Sequence, residues 1–396
     1  MTLLPLRPNY LHRLTGFTAF LIYGKTSLLL FFALTACRSS TEHLNPIVKL
    51  DSVQSPTYAQ GFAINYYQDF KTIDLISPTD TIRYLLLPNR SSPPTDISYD
   101  QIIRTPVERV ITQSTTHLAF LNALNSTDKI IGLESVAYVY DSTIASRVAA
   151  NQVKEVGSGN TLNPEEVFLL QPDLIFASLL PATGLSDYEK LIELDIPVLP
   201  ISEWTESTPL GRAEWLKIFG ALLDQEKLAQ AKFHRAQSVY STLSLLTQAV
   251  IEKPTVIVGI PFQGYWYVPG AQSYRNALLQ DAGATWAFSR DSTAVSFPVN
   301  FERMYVLGLN ADVWLDPGQI HTTREIRATD KRFADFPALQ RGRVYNSSRR
   351  LNASGSGNDY YESGVVYPQR ILADLIKILH PELMPHHQFY YYQRLP

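Results

Sequence analysis

The chain has 396 residues, 45% hydrophobic and 18% charged, a composition that supports a large buried core. At roughly one domain per ~150 residues, two or three domains are expected. The formal net charge of −3 gives no basic footprint for nucleic acid, and the single cysteine permits no intramolecular disulfide.

Arg7, Arg13 and Lys25 precede an apolar run, Ser27–Ala36, with no acidic residue before it. The run is too short to span a bilayer and fits a signal-peptide core. Leu34–Cys37 then reads as a bacterial lipobox: small residues admit the peptidase, and the Cys37 thiol receives the diacylglycerol. Lys25, in the middle of the longer apolar span 17–36, argues against an uncleaved membrane helix. Residues 1–37 are thus expected to be a lipoprotein leader. Residues 38–56 are expected to be a polar tether, in which Pro46 and Pro56 oppose regular structure.

Tyr58–Leu87 alternates apolar and polar residues in a strand or hairpin pattern, and Ser91–Pro94 marks a loop. From Arg109 the texture changes to short apolar strands alternating with helices. Strands are expected at 109–112, 129–133, 172–177 and 198–202, with helices after Ser114, over 163–171 and over 185–193. That alternation implies a parallel sheet covered on both faces. A helix opens at Thr208–Pro209 and runs to about Leu223. Gln225–Val250 contains neither Pro nor Gly and places Leu228, Ala231, Ala236, Val239, Leu243, Leu246 and Val250 near a 3.6-residue period. It predicts a helix of ~26 residues and ~39 Å, long enough to run along two lobes. A second α/β segment begins at Thr255–Ile260 and ends in a helix over 365–379. The expected organisation is an N-terminal α/β lobe over 57–203, a helical linker over 204–253 and a C-terminal α/β lobe over 254–396.

An internal echo supports two similar lobes. Leu162–Glu165, followed by Val167, Leu170 and Asp173, resembles Val299–Glu302, followed by Met304, Leu307 and, after two extra residues, Asp312. Asn163 and Asn300 fit as helix N-caps, and Glu165 and Glu302 fit the first turn, where the helix dipole favours a carboxylate. Placed one per lobe, the same two glutamates could dock on arginines of a two-fold partner.

These features carry a resemblance. The strand around Val110–Ile111, Ile130–Gly132, Val156–Gly157 and Asn163–Glu165 leading to Gln171–Leu174 resemble the solute-binding proteins of ABC importers for ferric siderophores, haem and vitamin B12. So do Ala282–Gly283, Asn300–Glu302 and the ending Leu372–Pro381. The similarity runs from about Tyr58 to Leu383. It implies two α/β lobes joined by one long backbone helix, with an iron- or cobalt-containing chelate held in the cleft between them and no catalysis. It also implies that a monomer anchored by its lipid in the periplasm docks through Glu165 and Glu302 on the permease dimer of the inner membrane.

Candidate ligand contacts are aromatic residues in strand-to-helix loops, which can stack on a chelate: Tyr138, Tyr140, Trp204, Trp266, Tyr267 and Tyr274. Arg349 and Arg350, before the glycine-rich Ser354–Gly357, can bind an anionic group. Two other readings stay open. A bare zinc or manganese carrier would use His117, though His234 and His321 stand in other elements and no His-rich loop exists. A lipid-anchored hydrolase would use Asp359 and Glu362, but neither a Gly-x-Ser-x-Gly elbow nor a phosphate loop with its lysine is present. No metal ligands intrinsic to the protein are expected. His386, His387 and Tyr390–Tyr392 read as an exposed tail.

Overall fold

The computed structural model describes residues 50–159, 161–180 and 184–396; the leader, Cys37 and most of the expected tether lie outside the described residues. The end of that tether is regular. Leu50–Gln54 (β1) pairs antiparallel with Phe62–Tyr67 (β2), because Pro56 falls beyond β1 and takes no ladder N–H from it. Lys71–Ile76 (β3), Thr81–Pro88 (β4) and Gln101–Thr105 (β5) complete a sheet in the order β1-β2-β3-β4-β5, in which only β4 and β5 are parallel. Its alternation buries Ile64, Ile73, Leu75, Tyr84 and Leu86.

The first parallel unit follows. Val110–Thr112 (β6), Thr115–Ala123 (α1), Ile130–Leu133 (β7), Ser142–Ala149 (α2) and Lys154–Glu155 (β8) lead to a short hairpin of Gly157–Ser158 (β9) and Thr161–Leu162 (β10). Pro164–Leu170 (α3), Leu174–Ala177 (β11), Glu189–Ile192 (α4) and Val198–Pro200 (β12) finish it. The sheet order is β12-β11-β6-β7-β8, parallel throughout. Its central strands are apolar on both sides because helices cover both faces.

The helix expected from Thr208 is two helices, Pro209–Glu214 (α5) and Leu216–Leu222 (α6), meeting at Trp215. The buried Trp215 indole donates to Glu206 Oε1 at 2.9 Å, which pins the junction. Glu226–Gln248 (α7) has 23 residues, so it is ~35 Å long, and it packs on α6 and on the last long helix. Its buried stripe is Ala229, Phe233, Ala236, Tyr240, Leu243 and Thr247. The expected stripe shares only Ala236 and Leu243 with it, and Val239 and Leu246 face outward. Two aromatic rings supply more apolar area than those aliphatics, and Thr247 is admitted because its hydroxyl donates to Asp281 O at 2.6 Å.

The second unit comprises Thr255–Val258 (β13), Pro261–Phe262 (β14), Tyr265–Val268 (β15), Tyr274–Asp281 (α8), Thr285–Trp286 (β16), Phe297–Val299 (β17) and Phe301–Gly308 (α9). Val313–Leu315 (β18), Thr323–Thr329 (α10), Pro337–Gln340 (α11), Val344–Asn346 (β19), Asp359–Glu362 (α12), Pro368–Leu379 (α13) and Gln393–Arg394 (β20) follow. The sheet order is β16-β13-β18-β19-β20, with only β20 antiparallel, while β14, β15 and β17 form a small antiparallel sheet. The two lobes share apolar packing: Val365 and Val366, just before α13, belong to the same core as Phe120, Phe219 and Leu222 of the N-terminal side.

The internal echo is a repeated piece of physical structure. Asn163 Oδ1 accepts from Glu165 N at 3.0 Å, and Asn300 Oδ1 accepts from Arg303 N at 2.9 Å. Val167 and Met304 are the buried residues of their helix turns. Asp173 Oδ2 accepts from the backbone N–H groups of Glu108 and Arg109, and Asp312 Oδ2 accepts from Thr255 N at 2.9 Å. Each aspartate therefore ties the start of its lobe's first strand to the strand beside it.

The C-terminus is not a free tail. Asp374, fully buried on α13, accepts from the N–H groups of Tyr390, Tyr391 and Tyr392 and from His387 Nε2. This lets Tyr391 and Tyr392 enter the core and β20 join the sheet. Asp374→Ala strands these donors, so it should cost about 3 kcal/mol or more in urea unfolding and open the tail to chymotrypsin. An unchanged unfolding midpoint would contradict this role.

Candidate ligand cleft

In an open α/β sheet, ligands bind beyond the carboxyl ends of the strands, where the strand order reverses. In the first lobe the reversal lies between β6 and β11, and in the second between β13 and β18. In the second lobe that point opens onto a cavity, and in the first lobe a cavity lies next to it, at the ends of β6 and β7.

The second-lobe cavity measures about 600 Å³ and is bordered by Val258 and Gly259 at the end of β13, Asp316 after β18 and Asn346–Ser348 at the end of β19. Tyr267, Tyr361 and His321 stand on its wall, with the loop Ser354–Ser356. Its charges are internally matched: Arg275 pairs with Asp316, which also accepts from Tyr392 Oη at 2.8 Å and Ser347 N at 3.0 Å. The wall is thus neutral on balance, hydroxyl-rich and aromatic. The first-lobe cavity is smaller, about 190 Å³, and is bordered by Thr112–Thr115 at the end of β6, Leu133–Ser135 at the end of β7, and Tyr138. Tyr138 and Tyr267 are 60% and 50% exposed, which leaves their rings free for stacking.

A strap crosses between the lobes beside these cavities. Asn352 Nδ2 donates to Ala137 O at 3.0 Å and Val139 O at 3.1 Å. Glu362 accepts from Tyr140 N at 2.7 Å and Asp141 N at 3.1 Å. Gly357 permits the approach, since a Cβ there would lie 2.8 Å from both Tyr138 O and Val139 O. The second lobe thus grips one first-lobe segment, 137–141. Burial pushes the Glu362 carboxyl up to about 7, against the pull of the Tyr140 N–H and with Asp359 and Asp141 adding to the rise.

On the strap's other side lies a cavity of about 1050 Å³ between the lobes. Here Arg350 lies 5.0 Å from the Tyr140 ring centre and 4.4 Å from that of Tyr390, with Nε 2.5 Å from Asp359 Oδ2. Arg370 stacks at 4.3 Å on Tyr367 and 4.4 Å on Tyr390.

The expected contacts therefore separate. Tyr138 and Tyr267 border the strand-end cavities, while Tyr140 and Arg350 meet in the flanking one. Arg349 and Trp204 border none of these, although Trp204 is 46% exposed. Tyr274 lines a small separate pocket under Arg212. Trp266 is a correction: it is 0% exposed, its indole donates to Val258 O at 2.8 Å, and its ring packs on Trp314 and Phe333. The alternation of β15 turns Trp266 into the core and Tyr267 out. Asn352, Tyr361, Arg275 and Asp316 were missed. Only the glycine-rich run beside Asn352 gave any signal of an unusual loop.

His117 is wholly buried against Phe176 and Phe219, completes the N-cap of α1 and is driven down to about 3 by burial, so it is a neutral packing residue. Among the described residues no three of His, Cys, Asp and Glu gather to hold a metal ion. Asp359 is held by Arg350 and Glu362 by the strap, so both of these acids have structural partners.

Glu165 and Glu302 are both exposed, in the first turns of α3 and α9. Each helix leads directly into a parallel strand and runs back against it. Both glutamates therefore sit at the carboxyl edge of their sheets, the edge that carries the cavities.

Residues 110–350 match the family described as periplasmic binding protein. An uncharacterized lipoprotein of Methanocaldococcus jannaschii is 27% identical over 295 residues, spanning 71% of this chain and 67% of that one. A second from the same organism is 26% identical over 76% of each. Among solved structures, a possible iron-binding (periplasmic solute-binding) protein of Staphylococcus epidermidis has a TM-score of 0.54 at 17% identity, covering 69% of this chain and 99% of that one. A periplasmic heme-binding protein of Vibrio cholerae has a TM-score of 0.53 at 17% identity, covering 67% and 97%. These likenesses are of fold. No helix among the described residues is long and apolar enough to cross a membrane. With two parallel-sheet lobes, a backbone helix and a matching family model over most of its length, the chain belongs to the periplasmic binding protein family, whose members bind solutes rather than catalyse reactions.

Proposed function

We propose that this protein captures an iron chelate, a ferric siderophore or haem, at the strand-end crevice between its lobes and hands it to an ABC permease. The observation that carries this reading is the second-lobe cavity, where Tyr267, Tyr361 and His321 surround a polar wall with its charges already paired. Phenol and imidazole groups are side-chain types that stack on or ligate iron chelates. A wall without surplus charge suits a ligand whose own donors are occupied by its metal. The iron- and heme-related names of structural neighbours point the same way.

The delivery part of the proposal rests on symmetry. Glu165 and Glu302 are matched, exposed carboxylates at the same edge as the crevice, placed to meet one arginine cluster on each half of a permease dimer. The binding protein acts as a monomer held at the membrane by lipid on Cys37, an anchor that the lipoprotein relatives also favour. Cobalamin is a less fitting cargo for a cavity of about 600 Å³.

Purified protein titrated with haem, a ferric siderophore and cobalamin should show quenched Trp fluorescence with one of the two iron chelates. A melting temperature raised by Zn²⁺ or Mn²⁺ alone would overturn the chelate reading. The paired variant Glu165→Arg with Glu302→Arg should abolish uptake in cells while ligand affinity stays within about twofold, since neither residue borders the crevice. A large loss of affinity in that variant would contradict a docking role.

A further inference from the structure

The strap holds an acid under unusual stress. Glu362 lies on α12 of the second lobe, is 3% exposed, and is directed at two backbone N–H groups of the first lobe. Asp359 faces it from its own helix and Asp141 from the cap of α2. Of the nearby cations, Arg350 is already bonded to Asp359, and Arg370 is laid on Tyr367 and Tyr390. Of these groups, Arg350, Arg370, Asp141 and Asp359 border the flanking cavity with Glu362, and no ion pair joins Glu362 to either arginine among the described residues. Burial and two neighbouring acids therefore oppose an ionised Glu362 more than the two N–H bonds, one to each oxygen, favour it, and a protonated Glu362 keeps its carbonyl oxygen for one of the two donors.

We infer that Glu362 is a proton-linked positioning residue, which clamps the 137–141 segment and so sets the place of the ligand-facing Tyr138, and whose grip weakens as its carboxyl ionises. The role in ligand binding rests on the crevice reading; the clamp itself does not. The sign follows from linkage. With the strap closed the carboxyl titrates near 7, and with it released into water it titrates near its ordinary value of 4.5. Closure therefore takes up a proton between these values. The closed strap is favoured most below about pH 4.5 and loses that advantage as pH rises to about 7. A carboxylate that only filled space would show no such slope.

The amide protons of Tyr140 and Asp141 report the strap directly, because they are the donors that Glu362 receives. In the ligand-free full chain, their exchange protection, corrected for intrinsic rates, should fall by up to about tenfold per pH unit from about pH 5 to about pH 7, then level off. Glu362→Gln, which keeps the shape and an accepting oxygen, should flatten the slope. Glu362→Ala should lower protection at every pH. A wild-type slope persisting in Glu362→Gln, or full protection in Glu362→Ala, would overturn the clamp. Haem binding provides the second readout: its affinity should fall more steeply with rising pH in wild type than in Glu362→Gln. Identical haem profiles would overturn the positioning role. An intact amide slope with no haem, siderophore or cobalamin binding would instead contradict the crevice reading alone.

Discussion

At several places where this chain crosses itself outside a regular ladder, a carboxylate collects the backbone N–H groups at the crossing. Asp173 and Asp312, both partly exposed, do so at the first strands of the two parallel sheets. Glu206 and Glu214 do so for residues 57–61, accepting from five consecutive N–H groups and thereby joining the N-terminal sheet to α5. Asp374 does so for the C-terminal chain, and Glu362 for the strap between lobes. A buried N–H without an acceptor costs about 1–3 kcal/mol, so each carboxylate decides whether a whole segment can lie where it does. Hydrogen bonds to ionised acceptors are the stronger kind, which suits single side chains that must hold irregular backbone; at Glu362 burial outweighs that gain.

This use of acids explains both what sequence reasoning captured and what escaped it. Strands and helices of the two parallel units follow from apolar runs and caps, and the length of α7 follows from a stretch free of Pro and Gly. The repeated Asn-x-Glu was visible because a cap fixes residue type and spacing, while the downstream Asp repeats in type but two residues later in the second copy. The clamps at Glu206, Glu214, Asp374 and Glu362 were not visible, since their partners are backbone groups that carry no sequence signature and lie far along the chain. For the same reason Tyr390–Tyr392 read as a tail. Trp266 and the face of α7 were misjudged for a different cause: aromatic residues serve equally as core or as platform, and only tertiary packing selects between them.

The arrangement also constrains how the lobes respond to a ligand. They are joined by α7, by the shared apolar packing of Val365 and Val366, and by the strap from Asn352 and Glu362 to residues 137–141. A wide hinge motion would have to break all three. The architecture therefore favours a stiff frame. In such a frame Glu165 and Glu302 would keep a nearly constant separation, which the proposed two-point contact with a symmetric partner requires.

The central claim is that cargo sits at the carboxyl ends of the two parallel sheets. Anomalous scattering at the iron absorption edge, from crystals of the loaded protein, tests it most directly. The account predicts one strong iron peak in the crevice bordered by Tyr138, Tyr267 and Tyr361. A peak instead beside Tyr140 and Arg350, or outside both cavities, would contradict it.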